Sequence, residues 1–161
     1  MANDIKDNEP ALNLAIRYLS YQPRTIYQMQ EYLKKKGFGE EIVKKIIKIL
    51  IKKKYLNDKE FAFFFVESKV KYKPESKFAF RYDLKKKGIC PLIIDSVLEQ
   101  YNDRDLAIKS VGMKIKTWQN FDTETFKKKM MNFLRYRGFN YDISILTLNH
   151  YIKLKDEILK D

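Results

Sequence analysis

Apolar residues recur along this chain at helical spacing. Ala11 to Ser20 reads as a short amphipathic helix that stops before Pro23, because a proline disfavours the helical conformation of the residue ahead of it. A second helix begins at Thr25, where Thr25-Ile26-Tyr27-Gln28 fits a capping box, and it ends at Gly37, which suits the left-handed position closing a helix. Lys34 to Lys36 stand favourably against the negative end of that helix's dipole. Beyond the turn, Ile42, Ile46, Ile47 and Leu50 lie at i, i+4, i+5 and i+8, the stripe of a third helix running to about Lys54.

This pattern repeats. Leu33-Lys34-Lys35-Lys36-Gly37-Phe38 returns as Leu84-Lys85-Lys86-Lys87-Gly88-Ile89 and then as Leu134-Arg135-Tyr136-Arg137-Gly138-Phe139, with the glycines 51 and 50 residues apart. Met29, Phe80 and Met130 precede the glycines by eight, Ile42, Ile93 and Ile143 follow by five, and Ile47, Leu98 and Leu148 keep the same register. Pro23 and Pro74 stand fourteen residues upstream of their glycines, with Thr25 and Ser76 as N-caps, whereas the third copy has Glu124 in place of the proline.

Each copy therefore predicts helix, helix, glycine, helix. The second opens with Asn57-Asp58-Lys59-Glu60 as a capped start, and Phe61, Phe64 and Phe65 give its first helix an aromatic face assigned to the core. That helix stops at Pro74; the next covers about Ser76 to Lys87, and Pro91 starts one that ends near Tyr101. The third copy opens at Asp103, has a longer connection through Trp118 to Asp122, and closes with helices over about Thr123 to Arg137 and Tyr141 to Lys153. The expected organisation is a polar tail over residues 1–10, helical repeats over 11–56, 57–102 and 103–153, and a polar tail over 154–161. The fold class is all-α: five glycines and four prolines in 161 residues, with abundant Lys, Leu, Ile and Glu, favour long helices over turn-rich sheets.

Charge adds a location. Of the net +12, residues 24–87 hold +11, from 19 Lys and Arg against 8 Asp and Glu. Such a field attracts nucleic acid, an acidic protein groove or anionic lipid, and a lysine run is also an ordinary solvated face. No apolar run approaches the length of a membrane span, and Met1 to Pro10 is polar and acidic, unlike a signal peptide. One cysteine excludes an internal disulfide framework and suits a reducing, cytoplasmic setting.

Candidate chemistry is sparse. His150 has no second His or Cys at ligand spacing and reads as an ordinary surface or partly buried histidine. Cys90 precedes Pro91 at a helix start, where a thiol pKa can fall, but it lacks a basic histidine partner and reads as structural or incidental. Trp118, near Phe121, reads as closing the core of the third copy rather than stacking on a base. Phe126 and Phe133 are assigned to the core as well. There is no Gly-rich phosphate loop, and carboxylates such as Asp83 and Glu99 form no acid/base pair. No enzyme, metal site or cofactor is expected.

The segments Tyr18-Leu19-Ser20-Tyr21-Gln22-Pro23-Arg24-Thr25, Lys36-Gly37-Phe38, Tyr55-Leu56-Asn57-Asp58-Lys59-Glu60-Phe61-Ala62 and Arg135-Tyr136-Arg137-Gly138-Phe139-Asn140-Tyr141-Asp142, taken in order, resemble successive signatures of the RecX family, over about Ala11 to Tyr151. A helix ending in lysines and glycine is common; the ordered set at a period near 50 is specific. The resemblance implies three tandem three-helix repeats in an elongated, curved body that lies in the groove of the RecA recombinase filament on DNA and usually inhibits its ATPase and strand exchange. Longer relatives carry a sizeable region ahead of the first repeat, where this chain has about ten polar residues before Ala11.

The expected partners are that filament and, weakly and without sequence preference, DNA, with no membrane and a monomeric chain. The residues assigned to the binding surface are Arg24, Lys34, Lys35, Lys36, Lys52, Lys53, Lys54, Lys85, Lys86, Lys87, Arg135 and Arg137. Two other classes compete: a sequence-nonspecific basic helical nucleic-acid-binding protein, marked by binding to bare DNA with a steep salt slope and no effect of recombinase, and a helical-repeat scaffold for an unrelated partner, which would bind neither DNA nor filament. The repeat register itself is open to test. Leu33→Ala or Leu84→Ala should each cost about 2–5 kcal/mol in denaturant unfolding, and negligible loss at both would refute it.

Overall fold

Proline and capping side chains set most helix boundaries in the computed structural model, which describes residues 8–158. Helix α1 (Glu9–Tyr21) ends two residues before Pro23. Helix α2 (Ile26–Lys35) starts in the expected capping box: the Gln28 N–H donates to Thr25 Oγ1 and the Thr25 N–H donates to Gln28 Oε1, both at 3.1 Å. Helix α3 spans Glu40–Lys52. In α4 (Asp58–Tyr72) the Asn57 amide oxygen accepts from the Glu60 N–H at 3.1 Å, and in α5 (Lys77–Lys86) Ser76 Oγ accepts from the Ala79 N–H at 3.1 Å. Helix α6 (Pro91–Leu98) begins on its proline. Asn102 caps α7 (Asp103–Gly112), a single turn α8 (Ile115–Trp118) follows, Asp122 caps α9 (Thr123–Tyr136), and Asn140 caps α10 (Tyr141–Ile158). No strand occurs among the described residues, and the fold is all-α.

Three boundaries differ from the sequence reading. Helix α6 ends at Leu98, where the Tyr101 N–H closes a tighter turn onto the Leu98 carbonyl. The connection after α7 holds the extra turn α8. Helix α10 continues past Lys153 to Ile158, because no proline or glycine follows to stop it. Of the polar tail placed at 1–10, residues 1–7 lie outside the described residues, while Glu9 and Pro10 already form the first turn of α1. Of the tail placed at 154–161, residues 159–161 lie outside them.

The chain divides into two compact units, Met1–Phe64 with Leu84–Val97, and Phe65–Asp83 with Leu98–Asp161. In the first, Ala11 and Ala15 of α1, Met29 and Leu33 of α2, Val43, Ile46, Ile47 and Leu50 of α3, and Leu56 form one buried cluster. In the second, α7, α9 and α10 pack on one another, burying Leu106, Ala107, Val111, Phe126, Met130, Leu134 and Leu148. The divisions fall inside α4 and α5 and before the last residue of α6, so the second copy of the repeat contributes to both units.

Burial follows the repeat. Met29, Phe80 and Met130, and four residues later Leu33, Leu84 and Leu134, are fully buried. Ile42, Ile93 and Ile143 are only half-buried; the next residue in each copy, Val43, Ile94 and Ser144, takes the deep position. Ser144 and Thr147 are tolerated there because their hydroxyls donate to the Asn140 and Ile143 carbonyls of their own helix, each at 2.8 Å. The aromatic face assigned to α4 needs correction. Phe64 is 61% exposed, Phe61 and Phe65 are half-buried, and the core face belongs to Ala62 and Val66. Because the consecutive apolar residues Phe61 to Val66 run all round α4, periodicity leaves its rotation open. Asp58 helps to set it: its carboxylate accepts the Ile26 N–H at 2.9 Å, and Ala62 and Val66 lie on the same face at i+4 and i+8.

Consecutive copies meet by one recurring device. Thr25 Oγ1 donates to the Lys87 carbonyl at 2.6 Å while Asp58 takes the Ile26 N–H. One repeat on, the Ser76 N–H donates to the Arg137 carbonyl at 3.0 Å and the Lys77 N–H donates to Asp103 Oδ1 at 2.8 Å. The residue offering its carbonyl is each time the one before the repeat glycine. Those glycines have φ of +89° at Gly37, +79° at Gly88 and +84° at Gly138, a region where a side chain costs about 1–2 kcal/mol. At Gly88 the backbone also lies directly against the Tyr27 side chain, whereas open space surrounds Gly37. In urea denaturation Gly37→Ala should cost about that strain alone, and Gly88→Ala should cost a further 1–3 kcal/mol or so from overpacking. Equal losses at the two sites would remove the close contact from the account.

The turn between α4 and α5 is held from several sides. The Pro74 carbonyl accepts from Ser110 Oγ at 3.0 Å and from Arg137 Nη1 at 3.2 Å, and the buried Glu75 pairs with Lys73 at 2.8 Å and Lys69 at 3.1 Å. Burial works to raise the Glu75 carboxyl, but the two ammonium groups outweigh it and hold it below its usual 4.5. A carboxyl lowered on folding stabilises the fold above its unfolded value and loses that contribution as the pH falls through its folded value. Glu75→Gln should therefore melt below the parent at neutral pH and converge with it in acid, below 4.5. A pH-independent gap in melting temperature would refute the ionic account.

Candidate partner-binding surface

Lysines gather at helix ends for a local reason, since their charge offsets the negative end of the helix dipole while their stems reach into water. Lys34 and Lys35 lie in the last turn of α2 with Lys36 at its C-cap, Lys52 ends α3 with Lys53 at its C-cap and Lys54 beyond, and Lys85 and Lys86 lie in the last turn of α5. All eight are exposed. Lys87 is half-buried, with its carbonyl engaged by Thr25.

The arginines of the set behave differently. Arg24 is half-buried, its guanidinium 4.0 Å from the centre of the Tyr18 ring; Tyr18 stacks on Tyr32 at 3.9 Å, and Lys36 Nζ lies 5.6 Å from the Tyr32 ring. This cation and ring column joins α1 to α2, so Arg24 is occupied in building the first unit. Arg137 is likewise occupied, bonded to the Pro74 carbonyl and 4.8 Å from the Phe133 ring. Arg135 is exposed. Ten of the twelve sequence-assigned residues fall in the first compact unit; Arg135 and Arg137 fall in the second.

Burial and neighbouring groups shift titration at the junctions. Burial pushes the Asp58 carboxyl up against the lowering effect of the Ile26 N–H, and burial together with the Glu67 carboxylate it bonds pushes the Tyr101 phenol up. Trp118 is half-buried and packs edge-on against the half-buried Phe133, with ring centres 5.2 Å apart. His150 meets Tyr151 edge-on, and Cys90 is exposed. Among the described residues no group of three His, Cys, Asp or Glu is placed to hold a metal ion, and no helix is long and apolar enough to cross a membrane.

Sequence reasoning placed Lys54 in the set only as one lysine of a run and passed over Tyr55. The structure gives Lys54 a φ of +59° and leaves Tyr55 exposed. A signal existed: Leu50-Ile51-Lys52-Lys53-Lys54-Tyr55 follows the pattern of Leu33-Lys34-Lys35-Lys36-Gly37-Phe38, with lysine where the glycine stands.

Comparison with known proteins bears on this surface. Residues 11–50 match the description "RecX, first three-helix domain" and residues 57–98 match "RecX, second three-helix domain". Regulatory protein RecX of Bacillus cytotoxicus is 32% identical over 146 residues, 89% of this chain and 54% of that protein. The chain thus spans about half the length of that relative, whereas Regulatory protein RecX of Chlorobium limicola is 27% identical over 98% of this chain and 99% of its own length. A crystal structure of RecX from Lactobacillus salivarius superposes with a TM-score of 0.74 at 25% identity, covering 93% of this chain and 97% of that one. The ordered repeat, its all-helical fold and these matches together make the chain a member of the RecX family of regulatory proteins.

Proposed function

We propose that this chain regulates the RecA recombinase by docking on its filament on DNA, and that it lowers the filament's ATPase and strand-exchange activity in recombination and repair. Family membership supplies the regulatory role. The observation that carries the docking surface is the exposure of Lys34, Lys35, Lys36, Lys52, Lys53, Lys54, Lys85 and Lys86, all within the first compact unit. Arg24 and Lys87, of the same unit, support that surface through the contacts they make inside the fold, whereas Arg135, an exposed cation, and Arg137 belong to the other unit.

The mechanism needs no chemistry from the regulator. A cationic protein seated across adjacent filament subunits restrains the motion coupled to nucleotide hydrolysis and obstructs a second DNA strand. Long-range attraction between the lysines and the filament's phosphates and carboxylates speeds encounter and is screened by salt. Binding to bare DNA is weak and independent of sequence, the chain acts as a monomer, and its setting is the cytoplasm.

The test is a recombinase ATPase assay on single-stranded DNA with the protein titrated in. Changing Lys34, Lys35, Lys36, Lys85 and Lys86 to Glu should raise the half-inhibition concentration by at least about tenfold at low salt, with a smaller gap at moderate salt. Each reversal at a helix end also costs about 0.3–1 kcal/mol of stability before screening, so folding is checked by circular dichroism. A folded variant that inhibits as well as the parent at both salts would show these lysines to be only a solvated face. Tight binding to bare DNA with no effect on the recombinase would favour the nucleic-acid-binding alternative.

A further inference from the structure

We propose that the turn after α3, residues 52–55, anchors an acidic protein surface of the partner, and that lysine is kept at its left-handed position for binding although glycine would make the fold more stable. This names the anchoring residues of the surface proposed above and rests on that reading.

Four helices end in one and the same turn. The N–H of the left-handed residue reaches back three residues and the next N–H reaches back five: Gly37 to Lys34 and Phe38 to Leu33, Gly88 to Lys85 and Ile89 to Leu84, Gly138 to Arg135 and Phe139 to Leu134, all within 2.9–3.3 Å. After α3 the same pair of bonds runs from Lys54 to Ile51 and from Tyr55 to Leu50, each 2.9 Å. Three turns place glycine at the positive φ, and the fourth places lysine, the one non-glycine residue with positive φ among the described residues. The pattern breaks again at the following residue. Ile89 and Phe139 are buried and Phe38 is half-buried, but Tyr55 is 58% exposed and burial passes to Leu56.

Among the described residues nothing offsets these two departures. Lys52, Lys53 and Lys54 are exposed, and no carboxylate among the described residues pairs with any of them. A position held in a sparsely populated conformation by a residue with no carboxylate partner among the described residues points to a demand from outside the fold. The chemistry of that demand follows from the flanks. Three exposed ammonium groups favour an anionic partner, and Ile51, 44% exposed, and Tyr55 bracket them with apolar surface. An aliphatic Ile51 has no ring to stack on a base and gains nothing from a phosphate backbone. Carboxylates around an apolar patch on a protein surface satisfy both the lysines and their flanks, with Tyr55 as the buried anchor.

Lys54→Gly separates binding from folding, because it relieves the turn while removing the charge. It should melt roughly 2–4 °C above the parent yet need about ten times as much protein for half-inhibition of recombinase ATPase on single-stranded DNA. Lys54→Asn, which removes the charge but keeps a residue that tolerates the left-handed turn, should weaken inhibition to a similar degree, as should Tyr55→Ala. A Lys54→Gly protein that melts higher and inhibits at the parent's concentration overturns the proposal. So does a loss of affinity for bare single-stranded DNA by the same factor as for the filament, which would assign the turn to nucleic acid. If the parent itself neither binds nor inhibits the filament, this inference falls together with the reading it rests on, whereas failure of the Lys54 variants alone removes only the inference.

Discussion

The left-handed turn that closes the second helix of each copy is the constraint on which the rest of this structure depends. It favours glycine, found at positions 37, 88 and 138, and it aims the carbonyl of the preceding residue outward. At Lys87 and Arg137 that carbonyl meets the start of a helix in the copy before, where a backbone or hydroxyl donor is waiting. The missing Cβ at Gly88 lets Tyr27 come into contact. One small residue thus ends a helix, sets the direction of the chain and admits a neighbour, which is how a short motif can build a protein by repetition.

The same turn explains where the charge sits. A helix closed by glycine leaves its last carbonyls without partners in the helix, and lysines in the final turn offset them while remaining in water. Local chemistry therefore supplies a cationic rim before any partner is considered, and the rim is then available for binding. Cations the fold consumes can be told from those it leaves exposed by what they touch. Arg24 lies over Tyr18 and Arg137 bonds the Pro74 carbonyl, so both belong to the scaffold, whereas Lys34, Lys52 and Lys85 make no comparable commitment.

Polar groups at the junctions do more than fill valences. Asp58 and Asp103 each take the first N–H of a helix in the preceding copy, fixing the rotation of the helices they begin. Glu75 binds two lysines beside Pro74, so the proline that breaks the chain between α4 and α5 is also the point where Ser110 and Arg137 converge. Buried polar atoms of this kind are satisfied individually and add direction that apolar packing lacks.

By itself the sequence determined the helical class, the caps at Thr25, Asn57 and Ser76, the left-handed glycines and the core positions Met29, Leu33, Phe80, Leu84, Met130 and Leu134, because each depends on spacing within a dozen residues, and the recurrence of that pattern gave the period near 50. Tertiary structure decided what spacing leaves degenerate. Helix α4 carries apolar residues on every side, so only the bond from Asp58 to a distant helix and the packing around Ala62 and Val66 turn Phe64 outward. A composition count cannot tell Arg24 from Lys34, since the difference is a pair of stacked tyrosines brought in from two helices. Nor does the run of three lysines alone reveal that the third stands in a glycine's conformation; the hydrogen bonds closing back over three and five residues establish it, beside the buried Leu50 and Leu56.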